Sequence, residues 1–381
     1  MRLPAVHFLS DHDHSGYGVG ARRLILGLEK IGCPIRWTPI GRNRTDRADP
    51  LAVVGNRDRI GLGRLEGSPI EPDVVIVRTI PERVPPLERV RPPGVPLVVA
   101  TVWEHWRVQP HWPDLLNRYD AVVVPTRWNA DAFAAAGVRV PILVVPHAHA
   151  YDPLSAKNAR LNPIFDDGAM LFHSIAQWGR RKDPGRTVMA FARAFGPTDG
   201  VRLVLKTSHV VDGDVPVPAG PEERRFQPSW SVAAILARHA PAPPVHLVTA
   251  PQTHDWIASL HARSDCWLSL PHAEGWDLGC FDAAVAGCPV ITTGYGGPLE
   301  YLDPAVAYLI PGIEVAHHVL PDTVWLDPDV DAAVEALRAV RADPAEARVR
   351  AEKQAEGLRA RYAPEVVAAD LVAGLRDVGL I

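Results

Sequence analysis

The sequence predicts an α/β protein made of two Rossmann-like domains, each built on a parallel sheet. The length of 381 residues suits about two domains. Short apolar runs of strand length alternate with helix-like segments along most of the chain. The clearest example is residues 265–302, which follow the order strand, loop, helix, strand, loop, helix. That order is typical of a parallel α/β sheet.

The N-terminal domain is predicted over residues 1–150. Its strands are apolar runs at residues 5–9, 34–40, 74–77, 97–101, 120–124 and 142–145. Residues 11–20 are predicted to form a glycine-rich loop, followed by an amphipathic helix over residues 21–31. A second helix is predicted over residues 129–136, and residues 43–69 are expected to be mostly loop.

The C-terminal domain is predicted over residues 168–362, after a polar linker at residues 151–167. Its predicted strands are residues 170–175, 201–205, 245–248, 266–270 and 289–293. Its predicted helices are residues 187–195, 278–286, 331–340 and 344–361, with one more starting at Pro298. A last helix is predicted within residues 363–381.

The composition excludes several classes of protein. A hydrophobic fraction of 47% argues against disorder, and a net charge of −4 predicts no nucleic-acid partner. No apolar run approaches transmembrane length and the N-terminus lacks a long apolar region, so a cytoplasmic location is expected. The four cysteines show no paired CxxC spacing and are predicted to be free thiols. Peripheral membrane contact and oligomeric state stay open.

Residues 274–282 combine acids with a helix start. Backbone amides at residues 276–279 would open the helix and face an anion, because the first helical N–H groups lack partners. Glu274 lies just before that helix and Asp282 about one turn into it. These acids would hold sugar and ribose hydroxyls while the amides hold phosphate. The alternative is that both acids only favour the positive end of the helix dipole.

A basic cluster, Arg180, Arg181 and Lys182, follows the predicted strand at residues 170–175. Arginine gives forked hydrogen bonds to phosphate, and lysine gives a point charge. At the carboxyl end of a strand, two or three of these cations would stabilise a departing diphosphate. The alternative is a solvated basic turn.

The turn Gly16-x-Gly18-x-x-Ala21 formally matches the dinucleotide-binding fingerprint. That fingerprint also requires an acid after the second strand, where this chain has Gly41-Arg42-Asn43-Arg44. An NADP-dependent oxidoreductase is therefore a weak alternative. Alternation along an extended segment lets at most two of the residues at 11–14 share an ion, so a polar loop is favoured there. One of its histidines, His14, is kept as a cleft-facing candidate.

Further polar and aromatic residues follow the strands of the first domain. Glu104 and His105 come after the strand at residues 97–101, within the run Trp103-Glu104-His105-Trp106. By the strand-end rule they should face a ligand crevice. The tryptophans would either stack on a sugar or cyclitol face or belong to the core. His147 follows the last strand of this domain, where substrate contact competes with a hinge role.

The pattern E-G-W-x-L-x3-D-A-x3-G-x-P-V-I-T-T-x-x-G-G-x-x-E-Y resembles the retaining glycosyltransferases of glycosyltransferase family 4, which have the GT-B fold. The glycine-rich turn, the Trp-Glu strand end and the Arg-Lys pair occur in the family's order, so the resemblance covers most of residues 8–300. Two positions depart from the pattern. Asp282 replaces the family's second Glu, and Asp277 stands where the family usually has Gly.

The resemblance implies two domains facing a cleft, a donor held mainly by the C-terminal domain, and a final helix that packs back on the N-terminal one. It implies transfer of a sugar of the hexosyl type from a nucleoside-diphosphate sugar to an acceptor hydroxyl, with retention and without metal or cofactor. The donor base, normally read in the region at residues 210–230, stays open, as do the sugar and the acceptor. A GT-B protein that binds nucleotide sugars without transferring them is a second alternative.

The same resemblance assigns roles to particular residues. The catalytic residues would be Glu274, Arg181 and Lys182. Donor-binding residues would be Gly18, Trp276, Asp277, Leu278, Gly279 and Asp282. Residues on the acceptor side would be His14, Glu104, His105 and His147.

Overall fold

The computed structural model describes residues 2–41, 51, 60–152, 165, 167–208, 228–317 and 323–381. The chain forms two units, one made of Met1–Ala150 with Ala360–Ile381 and the other of Tyr151–Arg359. Most of the predicted loop at 43–69, the linker at 151–167 and the base-reading region at 210–230 lies outside the described residues.

The first unit is built on a parallel sheet with the strand order β2-β1-β3-β4-β5-β6. These strands are β1 Val6–Asp11, β2 Ile35–Ile40, β3 Val74–Arg78, β4 Leu97–Ala100, β5 Ala121–Val124 and β6 Ile142–Val144. The central strands β3, β4 and β5 are buried along their whole length. Parallel strands covered on both faces read as near-continuous apolar runs, which is why the sequence located them.

The loop predicted at residues 11–20 is wrong for residues 16–20, which are helical, whereas residues 12–15 form the connection from β1. Helix α1 spans Gly16–Lys30, and the side chain of Ser15 caps it by accepting from the amide of Gly18. A Cβ atom on Gly18 would collide with the carbonyl oxygen of Asp13. Glycine is therefore needed here because two backbone segments approach each other closely.

Among its described residues the first unit has three further α-helices: α2 Trp112–Leu116, α3 Arg127–Ala135 and α10 Pro364–Asp377. Helix α10 packs on α1, where a Cβ atom on Gly27 would collide with the carbonyl of Pro364. Lys30 and Glu365 form an ion pair at 2.7 Å across this contact. The C-terminal helix thus completes the core of the first unit, to which it contributes Val367, Ala368, Leu371, Val372 and Leu375.

The second unit has a parallel sheet with the strand order β12-β11-β10-β7-β8-β9 and a separate antiparallel hairpin, β13–β14. Its strands are β7 Met170–Ile175, β8 Val201–Lys206, β9 Val245–Val248, β10 Cys266–Ser269, β11 Val290–Thr293, β12 Tyr308–Ile310, β13 Gly312–Ala316 and β14 Val324–Pro328. Its helices are α4 Pro184–Ala194, α5 Pro228–Arg238, α6 His254–Arg263, α7 Leu278–Val285, α8 Val330–Ala342 and α9 Pro344–Arg361.

Several elements of the second unit were not predicted. The sequence prediction has no counterpart for helices α5 and α6, strand β12 or the hairpin. Strand β12 is only three residues long, and β13 is largely exposed, so neither shows a clear apolar run. The helix expected at Pro298 is only a 3-10 turn over Gly297–Glu300. The predicted α/β class with two Rossmann-like units is confirmed. Within the described residues, every helix is too short or too polar to cross a bilayer.

Candidate functional site

The second unit brings two loops together at the switch point of its sheet, where the strand order reverses between β7 and β10. The loop after β7 carries Arg181 and Lys182, and the loop after β10 carries Glu274 and Asp277. The amide of His272 donates to the carbonyl of Arg181 at 2.8 Å, which joins the two loops directly. In open parallel sheets, ligands bind at the carboxyl ends of the strands beside such a reversal.

Glu274 is the centre of a buried ion cluster. One carboxylate oxygen lies 3.0 Å from Nη1 of Arg181, and the other lies 2.5 Å from Nζ of Lys182. Lys182 is also 3.9 Å from a carboxylate oxygen of Asp277. Arg181 Nη1 donates in addition to the carbonyl of Ala273 at 2.9 Å. The structure therefore gathers four residues that the sequence assigned to the site.

The cluster fixes the charge of its members. Burial alone would raise the pKa of Glu274, but Arg181 and Lys182 outweigh it and hold that pKa below its usual value. Burial likewise opposes the charge of Lys182, and the two neighbouring acids hold its pKa above the usual value. Burial raises the pKa of Asp277 to about 6, and Glu274 adds to the rise while Lys182 opposes it. Near neutral pH the site thus holds one firmly ionised carboxylate between two cations.

Asp277 begins helix α7 in an unusual backbone conformation. Its φ of 63° is left-handed, and its side chain accepts from the amide of Cys280 at 3.4 Å. Aspartate and asparagine tolerate this region better than other non-glycine residues do. The first-turn amides that follow carry the positive end of the helix dipole. The helix therefore presents its positive end beside Lys182 and Glu274.

The glycine turn after β11 supports the loop that carries Glu274. The amide of Gly297 donates to the carbonyl of Glu274 at 2.7 Å. A Cβ atom on Gly296, whose φ is 68°, would lie 2.5 Å from that same carbonyl oxygen. The hydroxyl of Tyr301 donates to the carbonyls of Trp276 and Asp277 at 3.0 and 3.2 Å. The role of Tyr301 was missed, although it is the last residue of the quoted motif.

The other predicted donor-binding residues, except Gly18, lie along α7 and its start. The ring of Trp276 is buried against those of Phe281 and Tyr301, so its side chain belongs to the core. Leu278 and Asp282 are half-buried. At Gly279 a Cβ atom would lie 2.6 Å from the ring of Trp267, so glycine lets the helix pack closely on β10. Gly18 lies in the first unit, with its amide bonded to Ser15.

A second polar network, also missed, ties the hairpin to these loops. Nδ1 of His272 lies 2.8 Å from the carbonyl of Leu326 in β14, and its ring stacks on Trp325 at 4.3 Å. Arg186 pairs with Asp183 at 3.1 Å and with Asp327 at 2.6 Å. Because the hairpin was not predicted, its partners were not predicted either.

The first unit places the acceptor-side candidates at the carboxyl edge of its own sheet. The hydroxyl of Tyr17 bonds to Thr101 and donates to the carbonyl of Val102, both at 3.1 Å. Burial, together with the charge of nearby Glu104, raises the pKa of Tyr17 to about 12. His105 is buried edge-on against Trp103, whereas His14 is exposed.

The tryptophans near Glu104 divide between core and surface. Trp103 packs on Trp112 with ring centroids 4.8 Å apart, and Trp112 is 2% exposed. Trp106 is 42% exposed. A stacking role for a sugar ring therefore stays a prediction for Trp106 alone.

His147 contacts a residue that the sequence did not single out. Nη2 of Arg78 lies 3.2 Å from Nδ1 and 3.3 Å from Nε2 of His147. In the polar run before α1, Asp11 binds Arg83 at 2.7 Å and His12 bonds to the carbonyl of Ile40 at 2.9 Å. Among the residues that the structure describes, no group of three or more His, Cys, Asp or Glu side chains is placed to hold a metal ion.

Comparison with known proteins gives a match to one family model over part of the chain and a shared fold over nearly all of it. Residues 226–371 match the model of a family described as Family 4 Glycosyltransferase in conflict systems. No curated protein matches the sequence. A structure of Anabaena HepE in complex with UDP is 14% identical, with a TM-score of 0.64, over 98% of this chain and 100% of that one.

Two synthases are similar to the same extent. The sucrose-phosphate synthase of Thermosynechococcus elongatus is 15% identical, with a TM-score of 0.66 over 99% of both chains. The UDP-forming α,α-trehalose-phosphate synthase of Burkholderia xenovorans is 15% identical, with a TM-score of 0.69 over 99% of both chains. At this level of identity the likeness establishes the fold.

Proposed function

We infer that this protein is a glycosyltransferase, because the chain has the GT-B fold and its residues 226–371 match a family 4 glycosyltransferase model. We propose that it moves a sugar from a nucleoside-diphosphate sugar to an acceptor hydroxyl, with retention of configuration and without a metal ion. The observation that carries this proposal is the cluster of Arg181, Lys182 and Glu274 beside the start of α7.

Arg181 and Lys182 would bind and stabilise the departing diphosphate. Both lie in the loop after β7, and both are mostly buried, with side chains 17% and 22% exposed. Charge builds up on the diphosphate as the glycosidic bond breaks. Fixed cations in a site of low dielectric stabilise that charge without reorganising first. The amides at the start of α7 would hold phosphate in the same way.

Glu274 would accept hydrogen bonds from the hydroxyls of the donor sugar. Its lowered pKa keeps the carboxylate ionised, so it can only accept hydrogen bonds, and sugar hydroxyls are donors. Asp282, one turn further along α7, would accept from the ribose. Asp277 would lie beside the phosphates, where its charge opposes theirs and Lys182 offsets it.

The proposed reaction needs no side-chain nucleophile. The bond from the anomeric carbon to the diphosphate breaks, and a bond to the acceptor oxygen forms on the same face of the sugar. The acceptor's proton passes to the departing phosphate oxygen. Glu274, held ionised between two cations, is a weak base and a weak nucleophile, so binding suits it better than covalent chemistry.

The proposal is tested by ligand-induced stabilisation. The melting temperature would be measured with UDP, GDP, ADP, dTDP, NAD and NADP, each with and without magnesium, because a ligand that binds only the folded state raises it. We expect one nucleoside diphosphate to stabilise the protein independently of magnesium. Stabilisation by NADP alone would move the chemistry to the Gly16–Ala21 turn and overturn the proposal.

A matched pair of variants tests whether the nucleotide binds at Lys182 and whether donor hydrolysis depends on that residue. Lys182→Met should abolish the nucleotide response and the hydrolysis of the donor sugar, whereas Arg180→Met should keep both. Arg180 is the exposed neighbour of the site cations and serves as the control. Binding without any donor hydrolysis or transfer in the wild-type protein would instead identify a nucleotide-sugar-binding protein.

A further inference from the structure

Arg78, the last residue of β3, carries a buried guanidinium group. The residue is 8% exposed, and its Nε is buried without a hydrogen-bond partner among the described residues. Its Nη2 lies 3.2 and 3.3 Å from the two ring nitrogens of His147. Within the described part of the chain, no acid forms a salt bridge with Arg78.

Asp11 acts on the charge of Arg78 only from a distance, because its carboxylate is bound to Arg83 at 2.7 Å. Arg23, 7% exposed, donates to the carbonyl of Ala148 and adds a second positive charge near His147. Burial, with help from both arginines, holds the pKa of His147 well below its usual value, so the ring is neutral.

Arg78 keeps its charge at neutral pH in spite of its burial. Burial lowers the pKa of Arg78 to about 10, against the opposing effects of Tyr17 and Asp11. A buried charge without an opposite charge is costly, so folded proteins normally pair it or bind a counter-ion there. The first unit therefore contains a buried guanidinium that none of its described acids pairs with directly.

The position of Arg78 is that of a ligand site. The strand order of the first sheet reverses between β1 and β3, and Arg78 ends β3. Ligands of parallel sheets bind at the carboxyl ends of the strands at such a reversal. Gly20 of α1 leaves room for these two side chains, since a Cβ atom there would lie 2.6 Å from the ring of His147 and 2.7 Å from Arg78 Nη2.

We propose that Arg78, His147 and Arg23 form a binding subsite for an oxyanion, either a phosphate or a carboxylate group. The guanidinium offers a forked pair of donors that matches two oxygens of such a group. The further assignment of this anion to the acceptor rests on the proposed function. The acceptor would then be a phosphorylated or carboxylated hydroxyl compound.

The experiment measures stabilisation by inorganic phosphate and by acetate, each against sodium chloride of the same ionic strength. Four proteins are compared: wild type, Arg78→Met, Lys182→Met and Arg22→Met. Arg22 is the control because it is a partly buried arginine of α1 that donates to a backbone carbonyl, that of Ile60 at 2.8 Å. A nucleoside-diphosphate titration of the same proteins reports separately on the second unit.

We expect a phosphate or acetate response that survives Lys182→Met and Arg22→Met and weakens at least about tenfold in Arg78→Met. A larger response to phosphate identifies a phosphorylated ligand, and a larger response to acetate a carboxylated one. Removal of a buried charge that no acid pairs with directly should leave Arg78→Met at least as stable as wild type when no oxyanion is present.

Three results would overturn the subsite. A response that is equal in wild type and Arg78→Met would mean an adventitious ion only. A response lost in Lys182→Met and kept in Arg78→Met would place phosphate in the second unit. The absence of any response in wild type would leave Arg78 as a structural residue. If Arg78→Met does not fold, Arg78→Lys keeps the charge but loses the fork, and unchanged phosphate affinity there contradicts the proposal.

These outcomes are independent of the proposed function. Stabilisation by a nucleoside diphosphate that is lost in Lys182→Met and kept in Arg78→Met supports the donor site, whether or not phosphate stabilises the protein. If no nucleotide stabilises the protein but stabilisation by phosphate still requires Arg78, the oxyanion subsite is supported. The assignment of its ligand to the acceptor is then contradicted together with the proposed function.

Discussion

At the scale of single residues, the charge on Glu274 depends on two cations that are themselves buried. Glu274→Gln keeps the size of the side chain but removes the charge that Arg181 and Lys182 face. We expect transferase turnover to fall by about 10²–10³ and stability by roughly 1–3 kcal/mol, since two buried cations lose their partner. Steady-state kinetics and chemical denaturation measure the two effects. Glu346→Gln, an exposed change in α9, is the control, and normal turnover in Glu274→Gln would remove this residue from the site.

Asp277 makes the stability of the second unit depend on pH in an uncommon direction. Its pKa rises from 3.8 in the unfolded chain to about 6 in the folded protein, because it is buried and lies near Glu274. Between these values the folded state binds more protons, so this residue's contribution to stability decreases as pH rises through that window. Glu274, with a lowered pKa, contributes stability above about pH 4.5 that is lost as pH falls below it.

Asp277→Asn separates these two effects. Asparagine tolerates the left-handed backbone and keeps an oxygen for the amide of Cys280, but it does not titrate. Relative to wild type, the variant should gain about 1–1.5 kcal/mol of stability between pH 5 and pH 7.5. Urea denaturation at the two pH values measures the change. Equal differences between variant and wild type at both values would show that Asp277 does not titrate in this range.

At the scale of elements, the turn after β11 shapes the loop that carries Glu274. A Cβ atom on Gly297 would collide with the backbone of Gly275 and Trp276. Gly297→Ala should therefore displace that loop, lower stability by a few kcal/mol and abolish most turnover. Gly357→Ala in α9 is the same substitution where nothing lies within 4 Å, and it should stabilise by about 0.5–1 kcal/mol. If both variants behaved alike, close approach would not explain the glycine turn.

The sequence predicted elements whose partners are close in the chain or whose pattern is continuous. The strands β3, β4 and β7 were located because burial on both faces makes them apolar runs. The start of α1 was placed too late because the cap at Ser15 was not recognised and its glycines suggested a loop. The hairpin β13–β14 was missed, since β13 is largely exposed and shows no apolar run.

The same distinction separates the parts of the candidate site. Arg181, Lys182 and Glu274 each follow a predicted strand, and parallel strands end at one edge of their sheet, so the amino-acid sequence alone predicts that these residues lie together. Their chemical roles stay predictions. The contacts of Tyr301, His272 and Arg78 depend on pairings between distant loops, such as that between His272 and Leu326. No local pattern indicates which of many polar residues will meet in this way.

At the scale of the whole molecule, the chain builds two cores, and its C-terminal helix belongs to the first. Leu371 of α10 is 1% exposed within the core that contains Leu24 and Leu28 of α1. Leu371→Ala should destabilise that core by about 2–5 kcal/mol. Because the second unit has a separate core, its own protection should be unchanged.

Hydrogen exchange followed by mass spectrometry measures this prediction region by region. Amides in β1 to β6 should exchange faster in Leu371→Ala, whereas those in β7, β8 and β10 should keep the protection of wild type. Val349→Ala, which changes a side chain 70% exposed in α9, is the control and should shift neither region. Faster exchange throughout both sheets would show that the two cores unfold as one cooperative body. Faster exchange confined to the first sheet would show that residues 360–381 stabilise a unit formed mainly by the first 150 residues.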